Sequence, residues 1–439
     1  MGEGKGGEEI KEVKMAQRGI REYDAKRILA NHIERFSNQR FKYHGRVALV
    51  TPERSLEVVA AEEPWLKTEK LTVKPDQLFG KRGKHGLLAV NVTYDEAKKW
   101  IAEKMNTTVA VGKTSGKLTH FLVQPYIELE KEYYLAFSGH RDGDYIHFST
   151  AGGVDIEANW DKVATISVPI DAKIEDVDLT SILDRMSNEE KSVLEELISA
   201  LFRVYRELHF GFLEFNPFTF KDSEFLPVDT VARLDDTAHF LCAEAWGNVE
   251  FPVPFGRDLR SEERYIKELD EKSGASLKLT ILNSRGKVWT MVAGGGASVI
   301  YADTVVDLGF GDELANYGEY SGDPSTDETY EYAKTLLDLM IREKSESCKV
   351  LIIGGGIANF TDVAKTFDGI IYALEDYAEK LKEHGAKIYV RRGGPNYEIG
   401  LAKIREAGRR LGLDMEVHGP DMHMTKVVNI ALEILKGGR

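Results

Sequence analysis

The chain has 439 residues, with 58 Lys plus Arg against 72 Asp plus Glu, a formal net charge of −14 and 42% hydrophobic residues. That length suggests about three domains of ordinary size, and the acidic balance argues against a nucleic acid or anionic membrane as partner, since both call for a basic surface. Two cysteines, Cys242 and Cys348, are too few for a disulfide framework or a zinc cluster and fit a reducing cytoplasm.

Residues 1–17, rich in Gly, Glu and Lys, read as a disordered extension, with order beginning near Arg18. Met1-Gly2 opens like a myristoylation signal, but Gly6 stands where Ser or Thr is needed. No apolar signal-peptide core follows, and no run of about 18 apolar residues occurs that could span a membrane. Ile28, Leu29, Ile33 and Phe36 then share one face of a helix predicted over 21–36.

Lys74 lies in the strand-like run Leu71-Thr72-Val73-Lys74-Pro75-Asp76, ahead of the basic stretch Lys81-Arg82-Gly83-Lys84-His85-Gly86. A strand lysine acting as a point charge, with a flexible basic loop as lid, is one way to hold nucleotide phosphates. The plain alternative is a solvated surface loop. The run from Val111 to Lys117 looks like a Walker loop but has one residue too few between Gly112 and Gly116-Lys117, and Leu118 replaces the magnesium-binding Ser or Thr. It reads as a turn.

A hairpin is predicted over 133–149 around Arg141-Asp142-Gly143-Asp144, a long helix over 188–208, and strands over 212–220 and 225–231. Glu214-Phe215-Asn216-Pro217 falls on the first of these strands and Asp229 on the second, so an oxygen pair can meet across the hairpin. Such a pair suits Mg²⁺, which takes one or two protein oxygens and completes its shell with phosphates; an exposed hairpin rim is the alternative. This mixed α+β domain is placed at 18–246, and 247–277 reads as a connector because Pro252, Pro254 and charged residues interrupt any period.

From 278 to 439 the character changes. Strands predicted at 278–282, 288–293, 349–353, 387–390 and 415–417 alternate with amphipathic helices, the rhythm of a parallel sheet covered on both faces. Ligands in such sheets sit at the carboxyl ends of the strands. There lie Gly354-Gly355-Gly356-Ile357-Ala358-Asn359-Phe360-Thr361, opening a helix whose amides favour an anion, and Arg391-Arg392-Gly393-Gly394, suited to a forked grip on a carboxylate; the plain alternatives are a turn without a ligand and a solvated basic turn. A dinucleotide loop is disfavoured, because Asn359 stands at the sixth position of G-x-G-x-x-G and no acidic residue ends the next strand. His120, His140, His239 and His423 lack zinc spacing, and neither cysteine has a nearby base, so no nucleophile is visible.

Val73 to Gln77, Leu213 to Pro217, Ser273 to Lys278, Val292 to Ser298, Ala315 to Gly322, the triple-glycine run and Arg391 to Tyr397 together resemble the ATP-citrate lyase family over nearly the whole chain after the extension. The likeness is to the amino-terminal portion of the single-chain animal enzyme, and so to the corresponding one of the two chains in the form built from two. It implies an ATP-grasp domain followed by a flavodoxin-like citrate-binding domain, as in the β chain of succinyl-CoA synthetase.

By that resemblance Lys74, Arg82, Gly83, Pro125, Ile127 and Glu132 contact ATP. Asn216 and Asp229 hold magnesium, Asp270, Ser273 and Ala275 mark a further metal position, and Gly322, Asn359, Thr361, Tyr377 and Arg392 bind citrate. The implied reaction passes phosphate from ATP through a histidine to citryl phosphate, then to citryl-CoA, which is cleaved to acetyl-CoA and oxaloacetate. The family's phosphohistidine lies in a Gly-His-Ala-Gly context that no histidine here has, since Gly139-His140 continues as Arg141-Asp142. The histidine, most of the CoA site and the citrate-synthase-like part are therefore expected on a partner, the other chain of the two-chain ATP-citrate lyase. Gln124 departs from the carboxylate that often precedes Pro125. The alternatives are the β chain of another nucleotide-dependent acyl-CoA synthetase, or a citrate or ATP sensor without catalysis.

Overall fold

The computed structural model describes residues 17–436 apart from 113, 154, 155, 185, 258 and 344–347, and of 157–159 the backbone only. The extension predicted at the amino terminus lies outside the described residues up to 16, and Gln17 already opens a strand. The backbone divides into two units, Met1–Asp258 and Leu259–Arg439.

The strands of the first unit are β1 (Gln17–Ile20), β2 (Ala48–Val50), β3 (Leu71–Pro75), β4 (Ala89–Val92), β5 (Thr108–Val111), β6 (Thr114–Lys117) and β7 (Phe121–Pro125). They continue with β8 (Tyr133–His140), β9 (Gly143–Ser149), β10 (Ala164–Pro169), β11 (Phe210–Lys221), β12 (Glu224–Pro227) and β13 (Thr230–Asp235). Its helices are α1 (Glu22–Phe36), α2 (Leu56–Glu62), α3 (Tyr94–Lys104), α4 (Thr180–Leu183), α5 (Asn188–Glu207) and α6 (His239–Trp246).

A large antiparallel sheet runs β1-β13-β11-β8-β9-β10, with β12 folded back on β11, and a smaller one runs β2-β7-β3-β4. The large sheet buries Leu135, Phe137, Leu213 and Phe215 against Ile28, Leu29 and Ile33 of α1 and Leu194, Leu197, Ile198 and Leu201 of α5. Their three- and four-residue spacing makes each helix bury one stripe. The smaller sheet closes over Leu71, Val73, Phe121 and Val123 with Ala97 and Ile101 of α3. The Walker-like run is the β5–β6 hairpin, turning at Gly112 with φ +61°.

One strand reading is corrected here. The segment predicted as a single strand over 225–231 is two, because the chain turns at Val228 and Asp229, whose amides both donate to Pro217 O at 3.0 and 3.3 Å.

The second unit holds β14 (Ser276–Ile281), β15 (Val288–Ala293), β16 (Asn316–Ser321), β17 (Val350–Gly355), β18 (Lys387–Arg391) and β19 (Asp414–His418). Its helices are α7 (Ser261–Lys272), α8 (Gly295–Val305), α9 (Thr326–Arg342), α10 (Val363–Glu383), α11 (Tyr397–Leu411) and α12 (Lys426–Lys436). β15-β17-β18-β19 form a parallel sheet. Phe367, Ile370, Leu336 and Ile404, from α9, α10 and α11, join the core on one face, and Tyr301, Val427 and Val428, from α8 and α12, that on the other.

The parallel sheet does not include the segment predicted at 278–282. β14 pairs antiparallel with β16, a strand the sequence reading missed. The physical reason is visible in the side chains: β15 and β17 are buried at every position, as two-sided parallel strands are, whereas β14 buries Leu277 and Leu279 and exposes Lys278 between them. The side chain of Asn316 joins the two sheets, accepting from Thr290 N at 2.8 Å and donating to Thr290 O at 2.8 Å. α7 begins inside the stretch read as connector and is tied to β14 by Glu263, whose Oε1 accepts from Ile281 N at 2.8 Å.

Candidate active site

In the first unit, β3 carries Lys74 inward, 4% exposed. Its Nζ donates to Asp229 Oδ1 at 2.8 Å, Glu22 Oε1 at 2.8 Å and Val228 O at 2.9 Å. The loop after β3 brings Arg82 to the same place, where it pairs with Asp229 and lies 3.1 Å from Glu22 Oε2. Burial pushes the Asp229 carboxyl up, but Arg82 and Lys74 outweigh it and hold it far below the usual carboxylate range. Gly83, next to Arg82, is exposed in a short helical turn.

Asn216 sits where β11 slips register against β8, between Phe215 and Phe218. Its amide donates to Asp229 O at 3.1 Å, and its Oδ1 accepts from Gly153 N at 2.7 Å. The Glu132 carboxylate borders Gly153 so closely that a Cβ there would come within 2.8 Å of Oε2. Pro125 ends β7 and Ile127 follows it half-buried. Lys74 and Arg82 thus contact Asp229, Asp229 contacts Asn216, and Glu132 borders the Gly153 that Asn216 holds. Cations beside oxygen ligands are what a metal-bound polyphosphate requires.

In the second unit the triple glycine acts differently from the sequence expectation. Gly354 and Gly355 are strand residues: a Cβ on Gly354 would lie 2.2 Å from the Tyr301 ring, and one on Gly355 2.8 Å from Arg392 Nη1. The following helix opens only at Val363, and its end is already capped by Asp362, whose carboxylate accepts from Lys365 N at 3.1 Å and Asn396 Nδ2 at 2.8 Å. A resident carboxylate satisfies that terminus, so the helix start does not offer the free amides expected of it.

The glycine and arginine loops do meet. Ala358 N donates to Gly393 O at 2.9 Å, and Gly394, with φ +131°, lies so near Ala358 that a Cβ would approach its Cβ to 2.5 Å. The two arginines divide their work. Arg391 spends its fork on the carbonyls of Gly355, Pro420 and Met422 at 2.9, 3.2 and 2.9 Å. Arg392, 4% exposed, donates Nη1 to Gly356 O at 2.6 Å, and no carboxylate among the described residues pairs with it. Burial lowers its pKa, against the pull of Tyr320 and Tyr301. A buried guanidinium with donors to spare and no counter-ion is a site for a ligand carboxylate.

Residues 16–246 match the model of the ATP-citrate synthase ATP-grasp domain, and 257–434 that of the ATP citrate lyase citrate-binding region. The chain is 46% identical to ATP-citrate synthase alpha chain protein 2 of Arabidopsis thaliana, over 96% of this chain and 99% of that one. The chain belongs to the ATP-citrate lyase family. It is also 46% identical to the ATP-citrate synthase of Homo sapiens, but there its 95% coverage corresponds to 38% of the longer protein. Its fold matches ATP citrate lyase from Methanothrix soehngenii in complex with citrate and coenzyme A, with a TM-score of 0.88, 52% identity, and 95% and 100% of the two chains covered.

Among the residues that the family resemblance marks for citrate, Gly322, Asn359, Thr361 and Arg392 gather at the carboxyl ends of the strands. The turn after Gly322 touches the glycine loop, Asp362 N donating to Asp323 Oδ1 at 3.2 Å. Thr361 is buried and Asn359 exposed. Tyr377 is elsewhere: it lies fourteen residues into α10, about 21 Å along the helix at its usual rise. Its phenol is 3.5 Å from Asp338, in a surface groove of about 400 Å³ shared with Tyr265, Glu331 and Lys334.

Asp270 lies in the last turn of α7, and Ser273 and Ala275 in the turn from there to β14. Asp270 Oδ1 accepts from Leu277 N at 2.8 Å, Oδ2 pairs with Lys278, and Ser273 Oγ accepts from Ala275 N at 2.9 Å.

Sequence reasoning missed Glu22 and Lys26 of α1, which are buried beside Lys74. Their signal was available: two opposite charges four residues apart on a helix whose apolar stripe they interrupt. Gln124, the family departure, serves this pair, its Oε1 accepting from Lys26 Nζ at 2.6 Å and its Nε2 donating to Val228 O at 3.1 Å.

Proposed function

We propose that the chain is the Mg-ATP- and citrate-binding half of an ATP-citrate lyase built from two kinds of chain, completed by a partner that supplies the phosphohistidine, the coenzyme A site and the citrate-synthase-like part. Lys74 and Arg82 take the nucleotide phosphates, with the Gly83 loop above them, and Pro125, Ile127 and Glu132 line the rest of the nucleotide. Asn216 and Asp229 fit magnesium, being oxygen donors held side by side through a backbone hydrogen bond. Bound there, magnesium supplies neutralising charge to the phosphates.

Citrate lies between Gly322, Asn359, Thr361 and Arg392, with the Arg392 fork on a carboxylate. The chain's contribution to the reaction is to orient citrate for attack on the partner's phosphohistidine, giving citryl phosphate, from which citryl-CoA, and then acetyl-CoA and oxaloacetate, arise. A cation at Asp270, Ser273 and Ala275 has to displace the Lys278 ammonium. The two free cysteines suit a cytoplasmic setting.

The observation that carries the citrate reading is the buried, counter-ion-free Arg392 beside the glycine loop. Calorimetry with citrate and with succinate tests it: citrate binding is expected and succinate binding weaker by at least tenfold. Binding of succinate alone would move the chain to an acyl-CoA synthetase of another acid.

A further inference from the structure

The first unit contains a buried carboxylate to which the nucleotide reading assigns no role. Glu22 opens α1 with its side chain 2% exposed. Its backbone amide donates to Asp76 Oδ1 at 2.8 Å, so the residue is fixed to the end of β3. Oε1 lies 2.7 Å from Lys26 Nζ and 2.8 Å from Lys74 Nζ, and Oε2 lies 3.1 Å from Arg82 Nη2. One carboxylate therefore serves three cations.

Lys74 and Arg82 also share a second carboxylate, Asp229, whose side chain is 34% exposed where that of Glu22 is 2%. The two acids differ in freedom as well as in exposure. Asp229 follows the β12 end, partly open to solvent, and can exchange its ammonium and guanidinium partners for a metal. Glu22, buried at the start of α1 and tied through its amide to Asp76 after β3, stays in place. When Asp229 turns to a metal, Glu22 is the only one of the two that still holds Lys74 and Arg82 in place, and each cation is left with donors for phosphate oxygens.

We propose that Glu22 is a positioning residue of the nucleotide site, fixing Lys74 and Arg82 for the phosphates while Asp229 serves the metal. The proposal rests on the nucleotide reading of this cleft. The simpler role for Glu22 is to balance Lys26, its neighbour one helical turn on, whose ammonium also donates to Gln124 Oε1 and Val228 O.

The test uses the full chain with its partner, and calorimetry with magnesium and a non-hydrolysable ATP analogue. Glu22→Gln should weaken analogue binding at least tenfold and raise the KM for ATP by a similar factor, with kcat changed less than threefold and citrate affinity unchanged. Glu22→Asp should recover part of the loss. The double variant Glu22→Gln/Lys26→Gln restores charge balance within α1 and guards against misfolding of the single one. The proposal expects the nucleotide defect to persist in it. Recovery of near wild-type nucleotide affinity in the double variant overturns the proposal in favour of the Lys26 balance, as does an unaffected single variant. Failure of the wild-type complex to bind the analogue at all would remove the nucleotide reading itself.

Discussion

Two adjacent arginines of the same chemistry have been given separate tasks by one residue of chain direction. Arg392→Lys keeps the charge but loses the planar fork, so citrate binding is expected to fall at least tenfold in calorimetry while Mg-ATP binding is unchanged. Arg391→Leu removes the donors to three carbonyls, of which that of Gly355 is buried, and at about 1 to 3 kcal/mol for a buried acceptor left unpaired it should lower the denaturation midpoint whether or not citrate is present. The residue pattern alone showed a pair of basic residues at a strand end, and only the family resemblance singled out Arg392. That assignment depends on where the carbonyls of Pro420 and Met422 come to rest, and no local pattern encodes it.

Asp24 gives a prediction in pH. Burial, with Asp76 adding to it, pushes its carboxyl up to about 6 from an ordinary value of 3.8, against Arg21 and Arg27. Because the folded value is raised, the cost of ionising it is absent below pH 3.8, grows as pH rises and is complete above about 6. Asp24→Asn should therefore stabilise the chain at pH 7, by no more than about 3 kcal/mol for a shift of this size, and the gain should vanish near pH 4. Urea denaturation at the two pH values reads it; a gain equal at both would rule out ionisation as the cause.

At the level of elements, the sequence was legible where burial is one-sided or complete along a segment. The helix stripes of α1, α5 and α10 follow from periodicity, and β15 and β17 from their near-continuous apolar runs. The helix start at Val363 did not, since glycines after a strand look like a helix entry until Ile357 is seen bridging Gly393. Nor did β16, whose Asn316-Tyr317-Gly318-Glu319-Tyr320-Ser321 has polar residues at several positions. Its place is fixed by Asn316, which acts as an extra length of backbone at the edge of β15. Asn316→Leu fills the same space without the amide, leaving Thr290 N and O unpaired, and should cost about 2 to 5 kcal/mol. Asn316→Asp should be nearly as damaging, because a carboxylate cannot donate to Thr290 O.

For the molecule as a whole, the candidate residues sort by unit. The nucleotide set belongs to the first unit, and Gly322, Asn359, Thr361 and Arg392 to the second. The resemblance supplied these residues in advance and flagged Gln124 as a departure; what it could not supply was how Glu22, Lys26 and Gln124 pack beside Lys74, or the distance of Tyr377 from the glycine loop. Human ATP-citrate synthase, of which the match spans 38%, has further sequence beyond this region, and no histidine here lies in the family's Gly-His-Ala-Gly context. Purified alone, the chain should bind citrate and Mg-ATP yet cleave no citrate, and mixing with its partner should restore acetyl-CoA formation. Cleavage by the isolated chain would mean that a histidine in this sequence takes the phosphate.

The division between Arg391 and Arg392 has a consequence for how such a site can change over time. The Arg391 guanidinium is taken up by three carbonyls of the chain, whereas Arg392 gives one hydrogen bond to Gly356 O and, under the proposed reading, keeps its other donors for the ligand. Substitutions around the Arg392 fork that leave Arg391 in place can therefore explore acids of other lengths and charges while most of the bracing stays, so divergence in substrate need not pass through unstable intermediates.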